Sequence, residues 1–218
     1  MTRTKTLAIV SLLALVGLAP VAAAQGKGIE ITPTVGYRFD SSVSTDSSAK
    51  INSVDVPGSV SFGLTAEYPV HPSLNVEFLW SHQSSDLKAD YRGTPPTGAK
   101  TDLASLNVDT IQIGGLWQSG RSGDKVRGYS DFLLGASILS PSGNFDTLTR
   151  FSMTVGGGAK FRISDSVGVR LGVRWMPVYI NSSDSGYYYC DPYWGCYQYY
   201  NTNYLSQFDT HVGLIIKF

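Results

Sequence analysis

The closest approach to a catalytic motif in this chain is the pair His82 and Ser84, in the segment WSHQSSD. Histidine can act as a general base and serine as a nucleophile when the two side chains share one face. Positions two apart in a β-strand do share a face. The pair stands at the outer edge of a predicted strand, so we expect a polar loop edge there and predict no enzyme activity.

Two cysteines bracket the segment DPYWG near the end of the chain. In an exported protein, Cys190 and Cys196 would form one disulfide that staples a long loop. With only two cysteines and no nearby histidine, we predict no metal site, and no motif indicates a cofactor. Tyr193, Trp194 and Tyr197 in the same loop could form a binding surface. Alternatively, these aromatic side chains pack on each other or rest on lipopolysaccharide head groups.

The first 24 residues have the pattern of a signal peptide. Arg3 and Lys5 precede an apolar run at residues 7–19, which is shorter than the roughly 20 residues that a membrane-spanning helix needs. Cleavage after Ala24 would leave one domain at residues 25–218, with 15 basic and 17 acidic residues. That near-neutral charge gives no indication of a nucleic-acid partner.

The rest of the chain alternates between apolar and polar residues, as β-strands with one apolar face do. The last strand is the clearest case, because Phe208, Val212, Leu214, Ile216 and Phe218 share one phase. Eight such segments can be found, at residues 29–39, 60–68, 74–80, 106–117, 126–138, 151–163, 167–179 and 208–218.

Connection lengths favour a membrane barrel over a soluble sandwich. Short turns at residues 69–73, 119–125 and 164–166 alternate with long polar loops at 41–57, 85–104, 140–149 and 181–206. Apolar strand phases end in aromatic residues, as at membrane interfaces. We therefore predict an all-β, eight-stranded antiparallel up-and-down transmembrane β-barrel with both termini in the periplasm. Leu106 and Val108 are out of phase in the fourth strand, and a β-bulge would reconcile them.

Charged residues fall on the opposite phase, which faces the lumen of such a barrel. An eight-stranded barrel has room inside only for side chains, so a paired charge network that plugs the lumen is the first expectation and a narrow ion path the second. The predicted lumen residues are Glu30, Arg38, Glu67, Glu77, Arg127, Asp131, Lys160, Arg162, Arg170, Arg174, Asp209 and Lys217.

Three segments carry a family resemblance: MTVGGGAKFRISDSVGVRLGVRWMPVYI, VRGYSDFLLGAS and the final HVGLIIKF. Together they resemble the small outer-membrane β-barrel family, including OmpA-like transmembrane domains. The resemblance implies the outer membrane of a Gram-negative bacterium, a monomer, and contact with outer-membrane lipid and lipopolysaccharide. It also implies that Phe218, Ile216 and Leu214 form the signal that the barrel-assembly machinery recognises.

These sequence features predict the fold of the protein in detail, but they do not identify an activity. We expect a structural or surface-interaction role, with an unknown extracellular ligand. The main alternative is a small porin-like channel for ions or small solutes. A remote alternative is a lipid A-modifying enzyme, because some small barrel enzymes that deacylate lipid A carry an outward His and Ser two apart. Here the strand differs from that family, and Ser85 stands where an Asn usually follows the serine.

Overall fold

The structure, a computed structural model, describes residues 28–44, 51–91, 102–120, 123–142, 147–179, 188–191, 195–198 and 204–218. These residues form twelve β-strands: β1 (Glu30–Arg38), β2 (Ser41–Ser44), β3 (Ile51–Val56), β4 (Ser59–His71), β5 (Leu74–Tyr91), β6 (Asp102–Gln118), β7 (Val126–Pro141), β8 (Leu148–Arg162), β9 (Val167–Tyr179), β10 (Tyr188–Asp191), β11 (Gly195–Gln198) and β12 (Tyr204–Lys217). Within the same ranges, no helix has the length and hydropathy needed to cross a bilayer.

Eight of the strands close into an antiparallel barrel, which confirms the predicted fold. The order around the barrel is β4, β1, β12, β9, β8, β7, β6 and β5, and pairing of β5 with β4 completes the circle. The termini of the barrel meet where β1 pairs with β12, and the Phe218 N–H donates to the Ile29 carbonyl at 3.0 Å. No barrel strand is therefore left with an unpaired edge, which is the condition for a sheet in lipid.

The strands are strongly tilted. Glu30 on β1 pairs directly with Lys217 on β12. When the cross-strand partners of Glu30 are instead followed in the opposite direction around the barrel, from β4 to β9, the row arrives at β12 near Gln207. Such a stagger accompanies strand tilt in closed barrels. Three short connections lie at one end, called here the turn end, and the longer β-hairpins rise from the other, called the loop end.

Burial follows the period of two that the sequence predicts. On β12, the residues from Leu205 to Ile215 alternate between buried and less buried positions, and the outward row includes Phe208, Val212 and Leu214. The apolar phase faces out and the polar phase faces in, as in a membrane barrel and opposite to a soluble one.

Several strands extend beyond their predicted ends. β5 continues to Tyr91 and β6 begins at Asp102, so half of the predicted loop at residues 85–104 is a β-ribbon. The first predicted loop contains β2 and β3, and β3 pairs with the outer part of β5. The last contains the hairpin of β10 and β11. The sequence did not predict these strand segments because their outward residues are polar. A strand above the membrane surface does not contact lipid and therefore needs no apolar face.

The predicted bulge in the fourth strand is wrong. β6 pairs with β5 and β7 without a register shift across Leu106 and Val108, and both side chains point inward and are buried. Leu79 on β5 is likewise an inward, buried residue. The lumen therefore contains apolar as well as charged side chains.

Candidate functional site

Buried charges inside the barrel converge on Arg170, which lies on β9 and is 0% exposed. Its guanidinium donates to Glu67 Oε1 at 3.0 Å and to Asp131 Oδ2 at 2.9 Å. The same group donates to Glu77 Oε2 at 3.2 Å and lies 3.1 Å from Glu77 Oε1. One cation thus joins carboxylates from β4, β5 and β7 across the lumen, as the rigid fork of arginine permits.

Arg174, four positions later on the same inward face of β9, binds two of these carboxylates. Its Nη2 donates to Glu77 Oε1 at 2.9 Å, and its Nε donates to Asp131 Oδ2 at 3.4 Å. Glu77 and Asp131 are therefore each shared by two arginines. Sharing lowers the free-energy cost of burying each charge. That cost is severe for an ion that has no partner.

Lys160 on β8 extends the cluster toward the turn end. Its ammonium donates to Glu67 Oε2 at 2.6 Å and to Glu30 Oε2 at 2.8 Å. The neutral side-chain amide of Asn75 also donates a hydrogen bond to Glu67 Oε2 at 2.8 Å. Glu67 is thus held by a lysine, an arginine and an amide, which satisfies a fully buried carboxylate.

A second, smaller ion pair lies nearer the loop end. Arg38 Nε is 3.7 Å from Asp209 Oδ2, and Ser61 donates to that same oxygen at 2.6 Å. The Arg38 guanidinium also donates to Gln83 Oε1 at 3.2 Å and to Ser81 Oγ at 3.1 Å. Neutral side chains thus supply the hydrogen bonds of the Arg38 guanidinium.

Inward glycines make room for the ion network. A Cβ at Gly156 would collide with Asp131 Oδ1 and lie 2.8 Å from Arg174 Cγ. No residue larger than glycine could occupy this position unless Asp131 and Arg174 moved apart. The glycine-rich stretch of β8 is therefore matched to the large arginine on the neighbouring strand.

Gly172 has the same role for an aromatic side chain. A Cβ there would collide with the Tyr129 hydroxyl and lie 2.7 Å from His211 Nε2. These two atoms are themselves 3.3 Å apart. The Arg170 guanidinium carbon lies 4.3 Å from the centroid of the Tyr129 ring, a cation–π contact. Tyr129 and His211 fall on the predicted inward phase, but neither was among the twelve charged residues of the predicted lumen network.

Nine of the twelve predicted lumen residues belong to the two ion clusters: Glu30, Arg38, Glu67, Glu77, Asp131, Lys160, Arg170, Arg174 and Asp209. The structure does not bring the other three into them. Arg127 donates to the Pro72 carbonyl at 3.4 Å, Arg162 donates to the Gly123 carbonyl, and Lys217 is exposed. All three lie at the turn end, where their side chains reach the barrel rim.

Apolar side chains form two further clusters inside the barrel, alongside buried neutral polar residues such as Gln112 and Thr154. Leu79, Leu133 and Met176 form one buried cluster. A second cluster lies at the loop end and consists of Val56, Leu106, Val108, Leu139, Val178 and Leu205. The out-of-phase Leu106 and Val108 were the sequence signal for this second cluster.

Comparison with known proteins gives the family. The family described as "Outer membrane protein beta-barrel domain" matches residues 8–210. The chain belongs to this family. It is accordingly a protein of the bacterial outer membrane. Among curated proteins, no relative matched.

Solved structures of outer-membrane barrels share the fold at low sequence identity. Neisserial surface protein A is 12% identical, with a TM-score of 0.53, covering 87% of this chain and 97% of its own. OprG from Pseudomonas aeruginosa is 13% identical, with a TM-score of 0.54 and coverage of 88% and 96%. The N-terminal barrel of Pseudomonas aeruginosa OprF is 10% identical, with a TM-score of 0.50 and coverage of 89% and 100%. At such identities the likeness concerns the fold alone.

In this outer-membrane barrel, the exposed apolar phase is the surface that meets lipid. Exposed aromatic residues mark both ends of it, with Tyr68, Trp117, Phe161 and Phe218 at the turn end and Tyr37, Phe39, Tyr179 and Tyr204 at the loop end. Of the predicted assembly residues, Leu214 and Phe218 are exposed on this surface and Ile216 is half-buried. Their recognition by the assembly machinery stays a prediction.

His82 and Ser84 lie within the wall of the outer-membrane barrel. β5 runs well past them, so the expected loop edge is wrong. His82 Nδ1 is 2.9 Å from Asp109 Oδ1 on β6, a contact that the sequence did not suggest. Both side chains are on the outward phase and about one-third exposed, at 36% and 35%.

The predicted loop features are only partly described. Backbone pairing of β10 with β11 places Cys190 directly opposite Cys196, which supports the predicted disulfide without testing it. Tyr193 and Trp194 lie outside the described residues, and of Tyr197 only the backbone is described. In the described part of the chain, no three His, Cys, Asp or Glu side chains are grouped to hold a metal ion.

Proposed function

We propose that this protein is a non-conducting membrane anchor that holds β-hairpins at the cell surface. The observation that carries the proposal is the filled lumen, in which paired charges are followed by a buried apolar cluster. An eight-stranded barrel has little interior volume beyond its side chains. A role in structure or surface interaction then remains for the barrel and its hairpins.

Two barriers in series support a closed lumen. The first is the ion network around Arg170, where side chains from four strands meet at hydrogen-bonding distance. The second is the apolar cluster at the loop end, to which Val56 contributes from the first hairpin. A hydrated ion would have to displace charge pairs at one level and cross an apolar constriction at the other.

Extended strands at the loop end support surface presentation. β5 and β6 continue to pair beyond the end of β4, from Ser85 opposite Leu106 to Lys88 opposite Asp102. β3 then adds to the outer part of β5. Pairing of this kind holds the described part of the ribbon in a defined position, which lowers the entropy cost of binding a partner. Tyr193, Trp194 and Tyr197 are the residues we propose for partner contact.

Planar-bilayer recording tests the closed lumen. We expect no stable channels from purified protein whose folded state is checked by its altered gel migration without boiling. Stable, large, water-filled conductance from the same preparation would overturn the proposal. It would favour the alternative, a small porin-like channel for ions or small solutes.

Epitope accessibility on intact cells tests the surface presentation. An epitope inserted after residue 96, between β5 and β6, should bind antibody on intact cells. A control epitope after Gly123, in the turn between β6 and β7, should bind only after the outer membrane is permeabilised. The reverse pattern would contradict the proposed orientation.

The contact between His82 and Asp109 gives one observation in favour of the remote alternative, since an acid on Nδ1 orients a general base. A lipid A-modifying enzyme would need Ser84 as the nucleophile. We expect the same lipid A masses in cells that express the wild type or His82→Ala. A modification present only with the wild type would establish the enzyme instead.

A further inference from the structure

A polar pair ends the apolar part of the outward face on β5 and β6. In the cross-strand row that contains it, Phe62 lies next to His82, Asp109 follows, and Ile138 lies beyond. Phe62 is exposed to lipid and Ile138 is half-buried. The two ionisable side chains thus have an apolar neighbour on each side within the membrane-facing wall.

Barrel closure does not require this pair. In the next row toward the turn end, Trp80 pairs with Ile111, and in the row after that Phe78 pairs with Ile113. Apolar side chains therefore serve the same two strands equally well. The free-energy cost of an outward ionisable group is small near the membrane interface, so this pair can be held at that boundary and can meet a polar ligand there.

Polar side chains continue from the pair toward the loop end. Ser84 pairs with Asn107 in the next row, and in the row beyond it Ser105 donates to Asp86 Oδ1 at 2.8 Å. All of these positions share the outward phase of His82. The outward face of this ribbon therefore changes from apolar to polar at His82 and Asp109, as an amphiphile does between its acyl chains and its head group.

The chemistry of the polar part selects the head group. The Asp109 carboxylate is hydrogen-bonded to Nδ1 of the His82 ring, so Nε2 is the ring nitrogen left for a ligand. Ser84 and Asn107 add a hydroxyl and an amide, both neutral donors and acceptors. The Asp109 carboxylate would repel a phosphate but accepts hydrogen bonds from hydroxyls and amide N–H groups. A sugar that carries hydroxyls and amides matches these groups.

We propose that the outward face around His82 and Asp109 binds the sugar head group of an outer-leaflet glycolipid. Its hydroxyl and amide groups bond to His82 Nε2, Asp109, Ser84 and Asn107, and its acyl chains lie along Trp80 and the apolar rows toward the turn end. This site depends only on the outer-membrane location. It is independent of whether the lumen conducts.

Native mass spectrometry of the detergent-solubilised barrel tests the site. The probes are a phosphate-free N-acylated glucosamine disaccharide lipid, its bisphosphorylated form, and phosphatidylethanolamine with matched acyl chains. The wild type should retain the phosphate-free glycolipid at least about fivefold more than phosphatidylethanolamine, the effect of about one hydrogen bond. Equal retention of these two lipids would overturn the proposal without any variant.

A double variant assigns the binding to the pair. His82→Leu with Asp109→Leu should lower glycolipid retention at least about fivefold, since both partners are removed together and no charge is left unpaired. Ser130→Leu is the matched control, because Ser130 is an exposed outward residue near the turn end. It should retain glycolipid like the wild type. Unchanged retention in the double variant, or retention of only the bisphosphorylated lipid, would refute the assignment.

Discussion

Arg170 and Glu67 are 103 positions apart in the chain, and their side chains meet at 3.0 Å inside the barrel. They lie on β9 and β4, which are not neighbours in the sheet. Their contact spans the lumen and can form only when the barrel closes. The ion network therefore adds to the cooperativity of the closed barrel rather than to any one hairpin.

Removal of Arg170 should be strongly destabilising. Arg170→Met leaves three carboxylates short of a cation in the lumen, and breaking a buried charge group in this way costs about 3–5 kcal/mol. Urea unfolding in detergent or lipid vesicles, followed by gel migration without boiling, measures the change. Arg162→Met is the control, because Arg162 is exposed at the rim and its loss should change the unfolding free energy by less than about 0.5 kcal/mol.

The double variant Arg170→Met with Glu77→Leu separates charge from volume. It removes one carboxylate along with the arginine, so it should be less destabilised than the sum of the two single variants. Additive effects would mean that the two residues act through packing and not through their charges.

Alanine at position 172 should destabilise the barrel through overpacking. The added methyl would occupy the space of the Tyr129 hydroxyl and of His211 Nε2, and such overpacking costs about 1–3 kcal/mol. Gly123→Ala is the matched control, since a Cβ there meets nothing within 4 Å. Equal midpoints of urea unfolding for the two variants would show that the lumen can absorb the extra methyl.

The wall of the barrel was predictable from the sequence because alternation depends only on neighbouring residues. Strands such as β8 and β12 show their lipid-facing phase directly, and turn lengths then give the order of the hairpins. Strand ends were less predictable. β5 continues beyond Ser85 with polar residues on its outward face, and outside the membrane no apolar phase marks a strand.

The pairings inside the lumen were not predictable, because they depend on the stagger of the whole barrel. The sequence places Arg170 and Glu67 on the inward phase but gives no register between β9 and β4. For the same reason, Leu106 and Val108 could not be matched with Leu139 and Val178, their partners in the apolar cluster. Asp109 was missed as the partner of His82, since cross-strand neighbours follow from register alone.

The two cysteines should be oxidised in the mature protein. Cys190 and Cys196 are opposite each other in the ladder of β10 and β11, and exported proteins form disulfides. Maleimide labelling of unfolded protein should find no free thiols before reduction and two after it. Two reactive thiols in the unreduced protein would contradict the predicted disulfide.

A charge placed on the lipid-facing phase should destabilise the barrel according to its depth. Val173 and Val126 are both outward valines of similar exposure, 58% and 54%, but Val173 lies in the middle of β9 and Val126 at the turn-end start of β7. Arginine at mid-membrane costs about 2–4 kcal/mol, and near an interface about 0–1 kcal/mol. Val173→Arg should therefore lower the unfolding free energy in lipid vesicles by at least about 1 kcal/mol more than Val126→Arg. The same pair measured in detergent micelles should differ less, because a micelle deforms around the charge. If the two variants are equally stable in vesicles, the outward phase at Val173 does not face the hydrocarbon core.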